Sequence, residues 1–107
     1  MPDSIKPFQV IATGDGWKVT GDIDISSSGA LSEAFSGDRR TTEDGRVVVD
    51  VEEVTFIDSS GLQVLIDLSS QVAPGGVTLR SAPRNVRRLL ELTGLSTTFR
   101  LENPAAD

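Results

Sequence analysis

The sequence predicts an α/β fold, with helices packed on a mixed, mostly parallel β-sheet that starts with an N-terminal β-hairpin. Two observations predict it. Strand-like and helix-like segments alternate along the chain in the order β-β-α-β-α-β-α-β, which implies right-handed crossovers between parallel strands. Residues 47–51, VVVDV, are nearly all β-branched and do not alternate with polar residues, which is typical of a strand covered on both faces.

The N-terminal hairpin is predicted from residues 8–12 and 17–20, which flank the turn Gly-Asp-Gly at residues 14–16. Glycine and aspartate tolerate the positive φ angles that tight hairpin turns need. Two short strands complete the sheet, at residues 77–79 and 99–101. The tryptophan of the hairpin is expected to pack in the core or on the sheet rather than bind a ligand.

Three helices are predicted between the strands, from apolar residues at helical spacing. Serines 26–28 offer caps for the first helix, and the Pro-Gly-Gly at residues 74–76 breaks the second. Pro83 suits the first turn of the third helix, and Gly94 suits a Schellman ending. The apolar stripes of the three helices are Leu31, Ala34 and Phe35; Leu62, Leu65, Ile66 and Val72; and Val86, Leu89 and Leu90.

Composition excludes several classes of function. The chain has no cysteine and no histidine, which removes disulfides, the commonest general base, and zinc sites built from those residues. The net charge of −6 disfavours nucleic acid and anionic membrane surfaces, and leaves a protein partner with a basic face. Enzymes that use only carboxylates, lysine or arginine stay possible on composition, but we expect no catalytic residue, no metal site and no cofactor.

Length and hydropathy predict one cytoplasmic domain spanning residues 1–107, with a core at about residues 8–101 and a frayed tail at residues 102–107. The start lacks the basic and apolar segments of a signal peptide. No apolar run approaches the ~20 residues of a membrane-spanning helix, so no membrane insertion is expected. The absence of thiols suits a reducing cytoplasm.

The segment FIDSSGL, residues 56–62, joins a predicted strand to a predicted helix at the carboxyl end of the sheet, where sites in such sheets lie. Either Asp58 or Ser59 can cap this helix by accepting hydrogen bonds from first-turn amides. Gly61 permits a close approach or a sharp turn. A purely structural role as a helix start explains these residues; the alternative is that one hydroxyl is modified.

A phosphate on Ser59 or Ser60 would lie at a helix N-terminus, where free amides and the helix dipole favour an anion. It would add about −1.5 to −2 charges and a large hydrated group. The fold would tolerate this, but a partner covering the same surface would have to bury the dianion or leave a gap. One modification would then switch binding off without unfolding the protein.

The sequence resembles the STAS domains of bacterial anti-sigma factor antagonists over about residues 8–101. The GDID at residues 21–24 is similar to that family's G-E-[LI]-D motif, and the DSSGL at residues 58–62 to its D-S-[ST]-G-[LI] motif. The spacing between these two motifs agrees with the family. Residues 81–95 are similar to the family's helix with the pattern P-x-V-x-R-L, which ends in [ST]-G-L.

The resemblance implies a mechanism. The unphosphorylated domain binds an anti-sigma factor that is also a serine kinase of the histidine-kinase-like ATPase type, and a sigma factor is released. Phosphorylation by this kinase ends the interaction, and a serine phosphatase restores it. Alignment of the motifs implies Ser60 as the phosphate acceptor, with Ser59 as the alternative. The implied partner-binding residues are Asp24, Asp58, Ser59, Ser60, Gly61 and Leu62.

The sequence departs from the family pattern in two places. Family members often have a further helix after the last strand, whereas this chain stops at residue 107, and residues 25–28 match the family pattern less closely than usual.

The alternative function is that of a STAS subunit of a membrane lipid-transport or transporter-associated complex, which uses the same surface without phosphorylation. The paired hydroxyls after Asp58 favour the phosphorylated switch. A nucleotide-binding enzyme is disfavoured because a glycine-rich phosphate loop is lacking.

Two further charged groups have simple structural interpretations. Asp22 and Asp24 share one face of a strand, but two carboxylates alone make a weak magnesium site, so shaping the strand end is their expected role. Arg84, Arg87 and Arg88 form a candidate basic patch. Because the protein is acidic overall, a solvated helix face is the expected interpretation.

Overall fold

The computed structural model describes residues 7–37, 41–72 and 75–102. Within these ranges the chain forms five strands and three helices, in the order that the sequence predicts. The α/β fold class is confirmed. The bounds of the elements are β1 Gln9–Ala12, β2 Gly16–Ile23, α1 Ser28–Phe35, β3 Val47–Ile57, α2 Ser59–Ser70, β4 Val77–Arg80, α3 Arg84–Leu92 and β5 Arg100–Glu102.

The described strands form one sheet in the order β1-β2-β3-β4-β5. β1 and β2 pair antiparallel as the predicted hairpin, whereas the three later pairs, β2–β3, β3–β4 and β4–β5, are parallel. Each parallel pair is joined through a helix, because a short turn cannot connect parallel strands. The prediction of a mixed, mostly parallel sheet with an N-terminal hairpin is confirmed.

One face of the sheet carries the core. Strand side chains alternate between the two faces, and those on the inner face pack with all three helices in one apolar cluster. The indole of Trp17 lies in this cluster, with its ring centroid 4.7 Å from that of Phe35. The helices contribute Leu31 and Phe35, Leu62, Val64, Leu65 and Leu68, and Val86 and Leu90.

The other face of the sheet carries mainly polar side chains. Lys18 of β2 lies beside Asp50 of β3, and Asp50 lies beside Arg80 of β4. Val48 and Thr78, which are also neighbours in register, are buried on this face although they lie outside the main core cluster. The prediction that the valine run of β3 is covered on both faces is therefore confirmed at its start.

β3 positions the FIDSSGL segment. It is 11 residues long, and its first four residues, up to Asp50, pair with β4. On its other side it pairs with β2 from Val48 to Ile57, with register shifts after Lys18 and Gly21. Such irregularities bend a strand and increase its twist. The end of β3 thus projects beyond β4, and Asp58 follows at the carboxyl edge of the sheet.

α3 ends in the predicted Schellman motif. Gly94 has a φ of 76°, a left-handed conformation that glycine adopts without the strain of a Cβ. Its amide donates to the carbonyl of Glu91 at 3.2 Å, and the amide of Leu95 donates to the carbonyl of Leu90 at 2.8 Å. These two hydrogen bonds define the motif, and they fold the chain back toward β5.

Several boundaries differ slightly from the predictions, most of them by one residue. β2 continues to Ile23, because its backbone keeps pairing with β3. Pro83 occupies the N-cap of α3 rather than its first turn. Glu102, assigned from the sequence to a frayed tail, belongs to β5 because it pairs with β4. Residues 103–107 of that tail, and Pro74 of the predicted break, lie outside the described residues.

Candidate functional site

The start of α2 is capped by Asp58. Its carboxylate Oδ1 accepts hydrogen bonds from the amides of Ser60, at 2.8 Å, and Gly61, at 3.1 Å. Its carbonyl accepts from the amide of Leu62 at 2.9 Å. Asp58 rather than Ser59 is therefore the cap, because Ser59 is already the first residue of the helix.

Gly61 allows α2 to lie against the end of β2. A Cβ at this position would be 2.7 Å from the carbonyl oxygen of Ile23 and would also overlap the Ile23 side chain. The amide of Asp58 donates to the same carbonyl at 3.1 Å. The sequence left a close approach or a sharp turn open for Gly61, and the structure shows the close approach.

The loop after β2 is organised around Asp24. Its Oδ1 accepts from the hydroxyl of Ser26 at 2.6 Å and from the amide of Ser26 at 3.0 Å. These hydrogen bonds, led by the hydroxyl, hold the pKa of the Asp24 carboxyl below its ordinary value. Ser27 occupies the N-cap of α1 without a side-chain capping bond. Its hydroxyl instead donates to the carbonyl of Asp22 at 2.8 Å.

Three aspartates, Asp22, Asp24 and Asp58, lie at the carboxyl ends of β2 and β3, and we call them the acidic corner. Ile23 links two of them, because it precedes Asp24 and its carbonyl receives the Asp58 amide. The Asp22 carboxylate accepts from the hydroxyl of Thr55. Among the described residues, no group of three or more His, Cys, Asp or Glu side chains is placed to hold a metal ion.

The two candidate phosphate acceptors lie on the first turn of α2. Ser59 is exposed and Ser60 is half-buried. Within residues 7–37, 41–72 and 75–102, no hydrogen bond occupies either hydroxyl. Modification of Ser60, with Ser59 as the alternative, stays a prediction. Gly61 and Leu62, the other predicted partner contacts on this helix, are buried, so they support the corner from the core side.

Two exposed apolar side chains flank the acidic corner and were not singled out from the sequence. Ile25, next to Asp24, is 78% exposed, and Phe56, two residues before Asp58, is 48% exposed. Apolar residues are usually buried, so the sequence gives little sign that these two side chains are exposed. The one weak signal is the position of Ile25 between an aspartate and three serines. Ile25 lies in the loop after β2, and Phe56 lies near the end of β3, where this strand extends beyond its pairing with β4.

The arginine-rich helix α3 presents its basic side chains at the surface. Arg84 and Arg88 are exposed and Arg87 is half-buried. With Glu91 they line a shallow depression of about 330 Å³. This arrangement agrees with the predicted solvated helix face.

Comparisons with known proteins agree with this architecture. A family model described as "Mlab, STAS domain" matches residues 15–102. The anti-sigma-F factor antagonist RsfB of Mycobacterium tuberculosis is 34% identical, and the match covers 94% of this chain and 83% of that protein. The crystal structure of an anti-sigma factor antagonist from Mycobacterium paratuberculosis is 29% identical, with a TM-score of 0.72, and the match covers 98% of this chain and 91% of that one.

A more distant structural likeness is to the Bacillus cell fate determinant SpoIIAA in its phosphorylated form. It is 18% identical with a TM-score of 0.55, and the match covers 91% of this chain and 92% of that one. At this identity the likeness shows a shared fold.

This chain belongs to the STAS domain family. The family that the GDID and DSSGL motifs resemble is thereby confirmed, and the relatives that share it here are anti-sigma factor antagonists. The matched region begins at the hairpin turn and ends with β5. In the part of the chain that the structure describes, no helix is both long and apolar enough to cross a membrane.

Proposed function

We propose that this protein is an anti-sigma factor antagonist, and that phosphorylation of Ser60 switches off its binding to an anti-sigma factor. The observation that carries the proposal is the Ser60 hydroxyl. It lies in the DSSGL motif at the start of α2 and has no hydrogen-bond partner among the described residues. The proposed partner is also a serine kinase of the histidine-kinase-like ATPase type. A serine phosphatase would reverse the modification.

The electrostatics of the acidic corner support this switch. Before modification, Asp58 carries negative charge at the first turn of α2, and Asp22 and Asp24 carry it at the adjoining end of β2. This surface suits a partner with a basic contact face, since complementary charges guide association. A phosphate on Ser60 adds about −1.5 to −2 charges and three strong acceptor oxygens at the same place.

The capping geometry indicates where that phosphate would go. The amides of Ser60 and Gly61 are the usual donors for an anion at a helix N-terminus, but both already donate to Asp58. A phosphate on Ser60 would therefore compete with this carboxylate or project outward beside it. Repulsion between like charges favours the outward position. A dianion projecting from the contact surface would exclude the partner while the fold stays intact.

The exposed apolar side chains beside the corner supply the other half of a contact surface. Ile25 and Phe56 are each within two residues of the Ile23–Asp58 hydrogen bond. Apolar area at the centre of an interface contributes most of the binding energy, and surrounding charges contribute specificity. We therefore assign Ile25 and Phe56 to the partner contact together with the acidic corner.

A pull-down from the native cell lysate, with and without ATP, tests the proposal. Wild-type protein should capture an anti-sigma factor, and ATP should produce a single phosphate that maps to Ser60 by mass spectrometry. Ser60→Asp should weaken capture through charge and steric exclusion, whereas Ser60→Ala should stay folded and remain bound with ATP present. Ser59→Ala tests the alternative acceptor and should still receive the phosphate on Ser60. Full capture by Ser60→Asp would contradict the mechanism.

A second readout tests the apolar contact. Ile25→Ala should keep the unfolding midpoint of the wild type, because the side chain is exposed, and should reduce capture by about tenfold, which corresponds to the ~1.4 kcal/mol typical of a useful interface side chain. Unchanged capture would remove Ile25 from the contact surface. Capture of a membrane complex, with no phosphate on any serine, would support the alternative STAS function.

A further inference from the structure

A pocket lies on the polar face of the sheet, at the opposite end of the strands from the acidic corner. Its volume is about 210 Å³, and it is lined by residues of the loop at 41–46, of the start of β3, and of β4 and β5. Val48, which also lines it, precedes Asp58 by ten residues of β3. At a rise of ~3.3 Å per residue this is roughly 30 Å, so the pocket is separate from the corner.

Thr78 is a buried polar side chain in this pocket without a hydrogen-bond partner. It is 5% exposed and lines the pocket. Within the described residues no hydrogen bond reaches its hydroxyl. Buried hydroxyls in folded proteins are nearly always hydrogen-bonded. A hydrogen-bond acceptor that enters the pocket would therefore give the Thr78 hydroxyl its missing partner.

Two arginines beside Thr78 share one carboxylate among the described residues. Arg100 is the register neighbour of Thr78 across β4 and β5, and Arg46 contacts Asp44 at 3.6 Å. Asp44 also accepts from the hydroxyl of Thr42 at 2.6 Å. This hydrogen bond, and more weakly the charges of Arg46 and Arg100, lower the pKa of the Asp44 carboxyl. One anion against two cations leaves excess positive charge at this end of the pocket.

The third arginine of the pocket is already neutralised. The Arg80 guanidinium donates to Glu102 at 2.7 Å and contacts Asp15 at 3.4 Å. These two carboxylates outweigh the single charge of Arg80, so the unpaired positive charge of the pocket lies on the side of Arg46 and Arg100. The charged residues that line the pocket are three arginines against Asp44 and Glu102, so the lining is net positive on a protein whose net charge is −6.

We propose that this pocket binds a phosphate-type oxyanion, with the guanidinium groups of Arg46 and Arg100 and the hydroxyl of Thr78 as donors. The planar N–H fork of arginine matches the oxygens of phosphate, and a threonine hydroxyl donates to one further oxygen. The pocket is smaller than the ~300–1,000 Å³ of sites for drug-sized ligands. The ligand is therefore inorganic phosphate or the phosphate group of a small monoester.

Titrations followed by amide NMR at constant ionic strength test this site, with inorganic phosphate and methyl phosphate as the two probes. We expect saturable shifts at the amides of Arg46, Thr78 and Arg100 with at least one probe, and the tighter probe identifies the source of the phosphate. Arg100→Gln should weaken binding at least tenfold. Arg84→Gln, on the arginine-rich helix α3, is the matched control and should leave the affinity unchanged.

Thr78→Val separates a binding role from a structural one. Valine keeps the shape of the side chain and removes a hydroxyl that lacks a partner, so the urea midpoint of the phosphate-free protein should stay equal or rise. Phosphate affinity should fall severalfold in the same variant. A lower midpoint without phosphate would show that the hydroxyl is bonded within the protein and would overturn the proposal. Linear shifts without saturation, equal in wild type and Arg100→Gln, would also overturn it.

Discussion

α1 and α2 contact each other, yet their N-termini are built differently. α2 begins on a carboxylate cap, because Asp58 accepts two first-turn amides. α1 begins at Ser27, which makes no side-chain capping bond. The acid of that loop, Asp24, bonds locally to Ser26 instead. The same ingredients, one aspartate followed by serines, therefore give a tightly held helix start in one place and a self-contained loop in the other.

The contrast shows two ways in which the start of a helix is held at the carboxyl ends of the strands. At α2, the cap and the contact between Gly61 and Ile23 hold the first turn in one position. At α1, the hydrogen bonds stay within the loop, and Ile25 remains exposed. A switch that depended on modifying Ser60 would benefit from a first turn held in one position beside an exposed apolar side chain.

The largest expected effect comes from exchanging the first-turn glycines of the two helices for alanine. Gly61→Ala should lower the free energy of unfolding by roughly 2–3 kcal/mol, because the new Cβ overlaps the backbone and side chain of Ile23. Gly29→Ala is the matched control, since a Cβ there meets nothing within 4 Å. It should raise the free energy of unfolding by about 0.5–1 kcal/mol through helix propensity. Urea denaturation measures both, and equal effects would refute the contrast.

A smaller effect is expected from the cap. Asp58→Ala should lower the free energy of unfolding by about 1 kcal/mol, within the ~0.5–2 kcal/mol typical of a lost N-cap, because the amides of Ser60 and Gly61 lose their acceptor. Asp58→Asn keeps an acceptor oxygen and should recover most of this loss. If both variants unfolded at the same urea midpoint as wild type, the cap would not be what holds α2.

The smallest effect is expected in the loop before α1. Ser26→Ala removes the main cause of the lowered pKa of the Asp24 carboxyl, so this pKa should rise toward its ordinary value in an NMR titration of the carboxyl carbon. Ser28→Ala, whose hydroxyl bonds to the carbonyl of Ile25, should leave it unchanged. A depressed folded-state pKa stabilises above the unfolded-state pKa, and this stabilisation is lost as pH falls through the folded-state value. Any stability difference between Ser26→Ala and wild type should therefore shrink in acid.

Much of the fold follows from patterns that act locally. The valine run of β3 and the Schellman ending at Gly94 depend on neighbouring residues in the chain, and both were predictable from the sequence. The hairpin was predictable for the same reason. The boundary of β2 was not, because its continuation to Ile23 depends on pairing with β3, which lies more than 20 residues away in sequence.

The candidate site divides in the same way. The cap could be narrowed to Asp58 or Ser59 from residue type alone, and the choice between them required the helix boundary. The exposure of Ile25 and Phe56 could not be predicted, because it depends on whether another helix, strand or loop packs over the carboxyl ends of β2 and β3. The pocket around Thr78 was also invisible in the sequence, since its lining residues come from three separate segments of the chain.

The sequence by itself determined the order of helices and strands, narrowed the cap of α2 to Asp58 or Ser59, and identified Gly61 as a site of close approach or sharp turning. Each of these follows from short-range backbone and side-chain chemistry. Only the tertiary structure decided which carboxylates lie together, which apolar side chains face the solvent, and where arginines from separate strands and loops meet. Those are properties of sheet order and register, and distant segments acquire them only when they pair.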